Sequence, residues 1–479
     1  MEPQQAVVAV GRPPPITPLA ASSLKTLLKH PTKLAGIPRG RGGNRRLAPA
    51  IPDEAASRPG QVQLLIGLDF GTTFTKAVWR NFSGAETGSA RIGPGAATMQ
   101  SSVVWVDSTG DLSLDDPGGA ECEAYLKMRL AGRRKTGDDP KRLAALSVFF
   151  VGACLRAAFA SAREMVDAPD AVLFSASLGC PAQFYDDHRL PIFQKLADQA
   201  WRWAHDPDAP TNLEHLKSWL GTSSAGGKTP AIDARAEVAA AVDCFTVRPD
   251  AQDGRYVFLD IGGGTIDGAI FRLYRHDGKP KVTVLSTSVE ELGTEILAEQ
   301  ASLVLGDFEH CRELLFGLGP FDPPPWATLR SCVGAFFGKL FVDARRLDSA
   351  SDWSGDHRSY PYWRIFDDVS VNANALSVFF GGGGIASHLH REAVTRAEKG
   401  LRANYGCPPL NLGEVIGPRD FEGTADAPFH RMAVAYGLAR SPLAALEWKL
   451  PSQLDHISAR PPAPRPPIHD YSESKDRYQ

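Results

Sequence analysis

The chain has 479 residues, 43% apolar and 22% charged, with a formal net charge of −3 and a pI near 6.5. At about 150 residues per domain this length gives two or three domains, or one large two-lobed unit, with a core that needs no disulfide or structural metal. Near-neutral charge gives no basis for nucleic-acid binding by the folded body.

The seven cysteines (Cys122, Cys154, Cys180, Cys244, Cys311, Cys332, Cys407) are scattered without a CxxC pair, which reads as reduced core thiols and a cytoplasmic protein. No apolar run is read as reaching the roughly 20 residues that span a bilayer. Leu143 to Ala160 comes nearest, but it contains Arg156 and reads as a buried helix, so no membrane partner is expected.

Residues 1–60 carry Pro13-Pro14-Pro15 and Arg39, Arg41, Arg45 and Arg46, with few acids. They read as a disordered Pro/Arg-rich arm; a transit peptide is the alternative, and a secretory signal is not expected. Leu64 to Phe70 is a continuous apolar run suited to a strand buried on both faces, and Lys76 to Asn81 continues it as a hairpin. Val103 to Val106 is a short strand, Leu143 to Val166 an Ala-rich helix, and Ala171 to Ser177 a strand ended by Gly179 and Pro181.

Asp186 to Ala204 and Ala234 to Phe245 read as helices. Tyr256 to Ile261, Ile266 to Tyr274 and Val282 to Ser288 form a second strand set, followed by a helix from Thr294 to Leu305. Leu376 to Phe380 is a strand running into four glycines and then a helix to about Lys399; Met432 to Arg440 begins the last helix. Strand hairpin, third strand and helices thus occur twice, which predicts two related α/β units. Residues 451–479 form a Pro-rich disordered tail.

Three glycine-bearing turns carry the chemistry. In Gly67-Leu68-Asp69-Phe70-Gly71-Thr72-Thr73 an apolar strand delivers an Asp to a tight turn followed by two hydroxyl residues. Such a turn can offer N–H groups to phosphate oxygens and a carboxylate to a hydrated magnesium ion; an ordinary Asp-Gly hairpin is the alternative. Leu259-Asp260-Ile261-Gly262-Gly263-Gly264-Thr265-Ile266-Asp267 repeats the design. Three consecutive glycines cost backbone entropy, which makes sense where the backbone must approach a ligand. Phe379-Phe380-Gly381-Gly382-Gly383-Gly384-Ile385 lies between a strand and a helix, where a bare backbone could lie against a base or ribose.

These three elements, in this order, resemble the phosphate-1, phosphate-2 and adenosine motifs of the actin-like ATPase superfamily. They are most similar to the nucleotide-binding domain of the seventy-kilodalton heat-shock chaperones. Ser177 to Phe184, Glu237 to Ala241, Leu292-Gly293-Thr294-Glu295 and Ala433 to Gly437 resemble connecting segments of that family, so the likeness covers about residues 61–440. It implies a two-lobed actin-like ATPase fold of the α/β class, each lobe on a ribonuclease H-like mixed sheet with flanking helices. Lobe I would span 61–245 and lobe II 246–450.

By the same resemblance, ATP and Mg are the expected ligands, with Asp69 and Asp260 holding magnesium through waters. Gly71, Thr72, Thr73 and Phe74 from one side, and Gly262, Gly263, Gly264, Thr265 and Asp267 from the other, would bind the nucleotide, with Gly381, Gly382 and Gly383 at the adenosine end. Glu237 would orient the attacking water, assisted by Thr265 or Asp267.

The sequence also departs from the family. No lysine occurs in Asp115 to Ala120, where the chaperones carry a catalytic one. Lys76 resembles the lysine of actin's first motif and is the expected replacement. Gly383, Gly384 and Ile385 stand in place of Ser, Thr and a base-stacking Arg, and Arg431 stands where an Asp is usual. Only 40 residues (479 − 439) follow Ala439, so the chaperones' peptide-binding domain and lid are not expected.

Gly226-Gly227-Lys228-Thr229 looks like the end of a P-loop but lacks the required preceding Gly and strand. His205, His215, His310 and His357 have no metal-ligand spacing, and Trp353, Tyr360, Tyr362 and Trp363 form either a partner surface or core. The expected function is an ATP-binding, slowly hydrolysing chaperone-like switch acting on a partner protein. A filament-forming ATPase, a nucleotide-binding scaffold with little turnover and a small-metabolite kinase are the alternatives.

Overall fold

The computed structural model describes residues 62–82, 86–132, 137, 139–166, 172–181, 189–223, 231–246, 251–276, 279–317, 321, 324–348, 375–405, 407–418, 421, 424, 427–440 and 447–449. The arm at 1–60, the tail at 451–479, the Gly226–Thr229 segment, His357 and the four aromatics at 353–363 lie outside the described residues.

The chain is a mixed α/β protein. Its first sheet is built from β1 (Val62–Asp69), β2 (Phe74–Asn81), β3 (Thr87–Ser89) and β4 (Met99–Ser101), completed by strands that come after a small three-stranded sheet of β5 (Val104–Val106), β6 (Leu112–Ser113) and β7 (Glu121–Glu123). Those later strands are β8 (Val172–Cys180) and β9 (Ile232–Ala236), giving the order β3-β2-β1-β8-β9 with β4 also on β2. The second large sheet holds β10 (Gly254–Ile261), β11 (Ile266–His276), β12 (Lys279–Glu290), β13 (Leu376–Gly381), β14 (Leu410–Glu414) and β15 (Glu447–Lys449), in the order β14-β13-β10-β11-β12-β15.

Both large sheets use the same plan. An antiparallel hairpin, β1–β2 or β10–β11, is extended by parallel strands on its first member: β8 and β9 in one sheet, β13 and β14 in the other. Each parallel addition brings the C-terminal ends of two strands side by side, the usual place for a ligand in α/β folds.

Ten described helices flank these sheets: α1 (Leu126–Leu130), α2 (Pro140–Glu164), α3 (Leu190–His205), α4 (Leu213–Ser223), α5 (Glu237–Thr246), α6 (Thr294–Leu305), α7 (Phe308–Phe316), α8 (Trp326–Asp348), α9 (His388–Tyr405) and α10 (Phe429–Leu438). Strand alternation sorts the core. Along β10, Tyr256 and Phe258 enter a cluster with α5 and α10, while Val257, Leu259 and Ile261 enter another with α8 and α9. The apolar run of β1 packs with α2 through Leu64, Ile66 and Leu68.

Helix α2 starts at Pro140 with the Asp139 carboxylate capping Lys141 N. Its 25 residues are long and apolar enough to cross a membrane by length and composition, a property not anticipated because Arg156 interrupts the run. Its most apolar window is 72% buried inside the protein. Arg156 lies over the Trp203 ring at 4.2 Å and donates to the carbonyls of Trp203, Ala204 and Asp206 at the end of α3.

Helices α5 and α10 cross in direct backbone contact: a Cβ on Gly437 would fall 1.9 Å from Ala240 O. The fully buried Arg235 pins this crossing. It pairs with Asp243 at 2.7 Å and donates to the carbonyls of Gly437, Leu438 and Arg440.

Some expected boundaries move. The helix predicted from Ala234 begins at Glu237, because Ile232–Ala236 pairs with Ala176–Cys180 as a parallel strand despite its alanines. The helix predicted from Asp186 begins at Leu190. Helix α8 was not anticipated, since Cys332, Gly334 and Gly338 weaken its pattern. Its buried Leu329, Val333, Phe336, Phe337, Leu340, Phe341 and Ala344 nevertheless recur at helical spacing.

Candidate functional site

The tips of the two hairpins meet. In the first, Asp69 and Lys76 are register partners, Lys76 Nζ donates to Asp69 Oδ2 at 2.8 Å, and Gly71 N closes the turn on Asp69 O. In the second, Asp260 faces Asp267, Gly262 N donates to Thr265 O at 2.9 Å, and the Thr265 hydroxyl donates to Asp267 Oδ2 at 2.7 Å.

Glycine is required where the tips touch. A Cβ on Gly263 would lie 1.9 Å from Thr73 Oγ1, and one on Gly264 would lie 2.6 Å from Thr72 Cγ2. The tip is supported from behind by the start of α6: Thr294 N donates to Gly262 O and Glu295 N to Gly263 O.

The third turn joins through strand register. Gly381 of β13 pairs with Asp260, and Gly382, in the left-handed region at φ 84°, passes so close that a Cβ would lie 2.4 Å from Asp260 Oδ1.

The three turns line one open cleft. Of the residues expected at a site, Asp69, Gly71, Thr72, Thr73, Phe74, Lys76, Glu237, Asp260, Gly262, Gly263, Thr265, Asp267, Gly382 and Gly383 line it. Gly264 and Gly381 do not: the first packs against Thr72 and Met128, the second beside Phe258. His205 and His310 lie away from the cleft on α3 and α7.

Lys127 was missed. The stretch 115–120 holds no lysine, but seven residues further on Lys127 enters the cleft from α1 and meets Glu237 Oε2 at 2.7 Å. Both side chains are almost wholly buried. Lys76, the expected substitute, is also in the cleft, so the site has two lysines. The only local signal for Lys127 was its place in an otherwise apolar Leu-Lys-Met triplet.

Carboxylates outnumber amines at the hairpin end: Asp69, Glu237, Asp260 and Asp267 against Lys76 and Lys127. Burial, with the charges of Asp69 and Asp267, pushes the Glu237 carboxyl up to about 8 against the pull of Lys127. Burial likewise raises Asp260 to about 7, opposed by Lys76 and reinforced by Asp69 and Asp267. Lys127 is buried, which disfavours its charge, yet Glu237, Asp69 and Asp267 outweigh this and hold it protonated beyond its ordinary range. The acidic surroundings therefore push both members of the pair toward holding a proton.

Glu237 Oε1 is buried with no hydrogen-bond partner. This oxygen lies beside Gly179, where an added Cβ would fall 2.9 Å from it, and its acceptor capacity is unfilled. The surplus of carboxylates suits a divalent cation. Among the described residues no three His, Cys, Asp or Glu groups converge to hold a metal ion.

No protein-family profile matches the chain, and no curated protein matches it significantly.

Proposed function

We propose that this chain is a magnesium-dependent ATP-binding protein of the actin-like, two-lobed kind, with slow hydrolysis, acting as a nucleotide-controlled switch on a partner protein. The observation that carries the reading is the meeting of two Asp–Gly–Thr hairpins, from two sheets of the same plan, over the buried Lys127–Glu237 pair.

In this reading Thr72, Thr73, Gly262, Gly263 and Thr265 surround the terminal phosphates. Asp69 and Asp260 would hold a hydrated magnesium ion, which would supply neutralising charge beside the phosphates. Lys127 supplies further positive charge, and Glu237 Oε1 accepts a hydrogen bond from the attacking water and orients it. Lys127 supports turnover over a scaffold with little of it, since the cleft has a buried cation beside its carboxylate base.

Helix α10 would carry the switch. Its second residue, His430, accepts from Gly382 N through its carbonyl, and the helix ends under the Arg235 clamp. A ligand that moves the Gly382 turn thus moves a helix crossing α5. Calorimetric titration of the full chain with Mg·ATP tests the reading. Saturable one-to-one binding, with phosphate release on incubation, is expected; absence of heat and of any thermal shift at millimolar nucleotide would end it.

A further inference from the structure

Four cations line the cleft: Lys76, Lys127, Arg312 and Arg431. Three are matched by carboxylates: Lys76 by Asp69, Lys127 by Glu237, and Arg312 by Glu295 at 3.1 Å. Arg431 differs. Among the described residues no carboxylate lies within ion-pair distance of it, and the side chain's hydrogen bond is to Met99 Sδ, at 3.8 Å from Nη1.

Its position explains what such a cation can meet. Met99 is the register partner of Lys76, so Arg431 reaches the first hairpin just beyond the Lys76–Asp69 pair. On the other side, the only atom near a Cβ built on Gly383 is Arg431 Nε, at 4.0 Å. The space in front of Gly383 therefore opens onto the guanidinium. Two N–H groups of the glycine turn are already engaged, Gly382 with His430 O and Gly384 with Ile261 O. An anionic group in this space must find its neutralising charge in a side chain, and Arg431 is the cation placed to supply it.

We propose that Arg431 is a specificity-determining ligand for a phosphate group at the Gly382–Gly383 end of the cleft. This rests on the nucleotide reading above and deepens it. The planar fork of the guanidinium matches phosphate oxygens, and the half-buried setting makes the charge-assisted hydrogen bonds stronger than on an open surface. The phosphate has two possible sources with the same chemistry. It is the first phosphate of a 5′ polyphosphate chain, or a second phosphate carried on the ribose.

The test is calorimetric titration of the full-length wild type, Arg431→Gln and Arg431→Lys with Mg·ADP, adenosine 5′-monophosphate and adenosine 3′,5′-bisphosphate. Ligand-free thermal midpoints serve as the folding control, and all three proteins should share one, because Arg431 has no ion pair among the described residues to lose. Removing one charge-assisted contact should weaken binding about tenfold or more in Arg431→Gln, with Arg431→Lys in between. Equal losses for the mono- and bisphosphate identify the 5′ phosphate. A wild-type preference for the bisphosphate that Arg431→Gln erases identifies the ribose phosphate. Wild-type affinities retained by Arg431→Gln for all three ligands overturn the assignment while leaving the nucleotide reading intact. A wild type that binds none of them overturns both.

Discussion

Lys127 Nζ and Glu237 Oε2 lie 2.7 Å apart, joining a five-residue helix in the first part of the chain to the opening residue of α5, 110 positions later. A buried ion pair is weak evidence for stability, since desolvation of the two charges offsets much of their attraction. The pair lies in a cleft lined by two glycine-threonine hairpin tips, and Glu237 Oε1 has no hydrogen-bond partner.

The two members of the pair should separate in their effects. Glu237→Gln removes the base but keeps a hydrogen-bonding side chain beside Lys127. It should slow phosphate release by at least about 100-fold while Mg·ATP affinity changes by no more than a few-fold. Lys127→Met strands a buried carboxylate that already tends to hold a proton. Its cost in chemical denaturation should therefore stay near about 2 kcal/mol, below that of a fully stranded charge, with phosphate release also reduced.

Gly263→Ala tests the contact between the hairpin tips. The added methyl would overlap Thr73 Oγ1, so one tip must withdraw. The fold rests on the two large sheets and should survive, with far-ultraviolet dichroism unchanged, while Mg·ATP affinity drops about tenfold or more. Unchanged affinity would show that the tips do not close on a shared ligand.

Magnesium dependence should follow pH in a fixed direction. Below about 7 Asp260 tends to hold a proton, and a divalent cation that it holds must displace that proton. Affinity for Mg·ADP should therefore rise from pH 6 to pH 8 and level off above, with proton release visible as a binding heat that changes with the buffer's ionisation enthalpy. Pure dependence on nucleotide charge, without buffer-dependent heat, would contradict the assignment.

His390 gives a stability signature that also rises with pH. It is fully buried, its Nε2 contacts Leu292 O at 2.8 Å and its Nδ1 contacts Ser387 Oγ at 2.7 Å, as suits a neutral ring donating to the carbonyl and accepting from the hydroxyl. Burial lowers it from 6.5 to about 4. The unfolded chain binds the proton first, so this contribution is present above pH 6.5 and is lost as pH falls toward 4, a total of about 3 kcal/mol. Denaturant melts of wild type minus His390→Gln across that window should show the slope.

The sequence made the turns legible because each is a local pattern. An apolar strand, an acid, glycines and a hydroxyl residue sit within nine positions, and such a pattern needs no tertiary knowledge. Lys127 was illegible for the opposite reason: beyond its apolar neighbours nothing in Tyr-Leu-Lys-Met-Arg-Leu marks a cleft lysine, and its partner becomes a neighbour only when α1 and α5 are brought together. The start of α5 was misread for a similar cause. Ala234 to Ala236 favour a helix by propensity, and only the ladder with β8 makes them a strand. The glycines of 262–264 could be counted, but only the structure shows that Thr72 and Thr73 of the other hairpin are what a side chain at Gly263 or Gly264 would strike.

A double-mutant cycle on Mg·ATP affinity, using Asp69→Asn, Asp260→Asn and the combined protein, tests most directly whether the two hairpins grip one ligand. The account predicts a loss of about tenfold or more for each substitution and a combined loss well short of the product, as for residues in one network. Full affinity in either single variant, or losses that multiply as for independent positions, would contradict it.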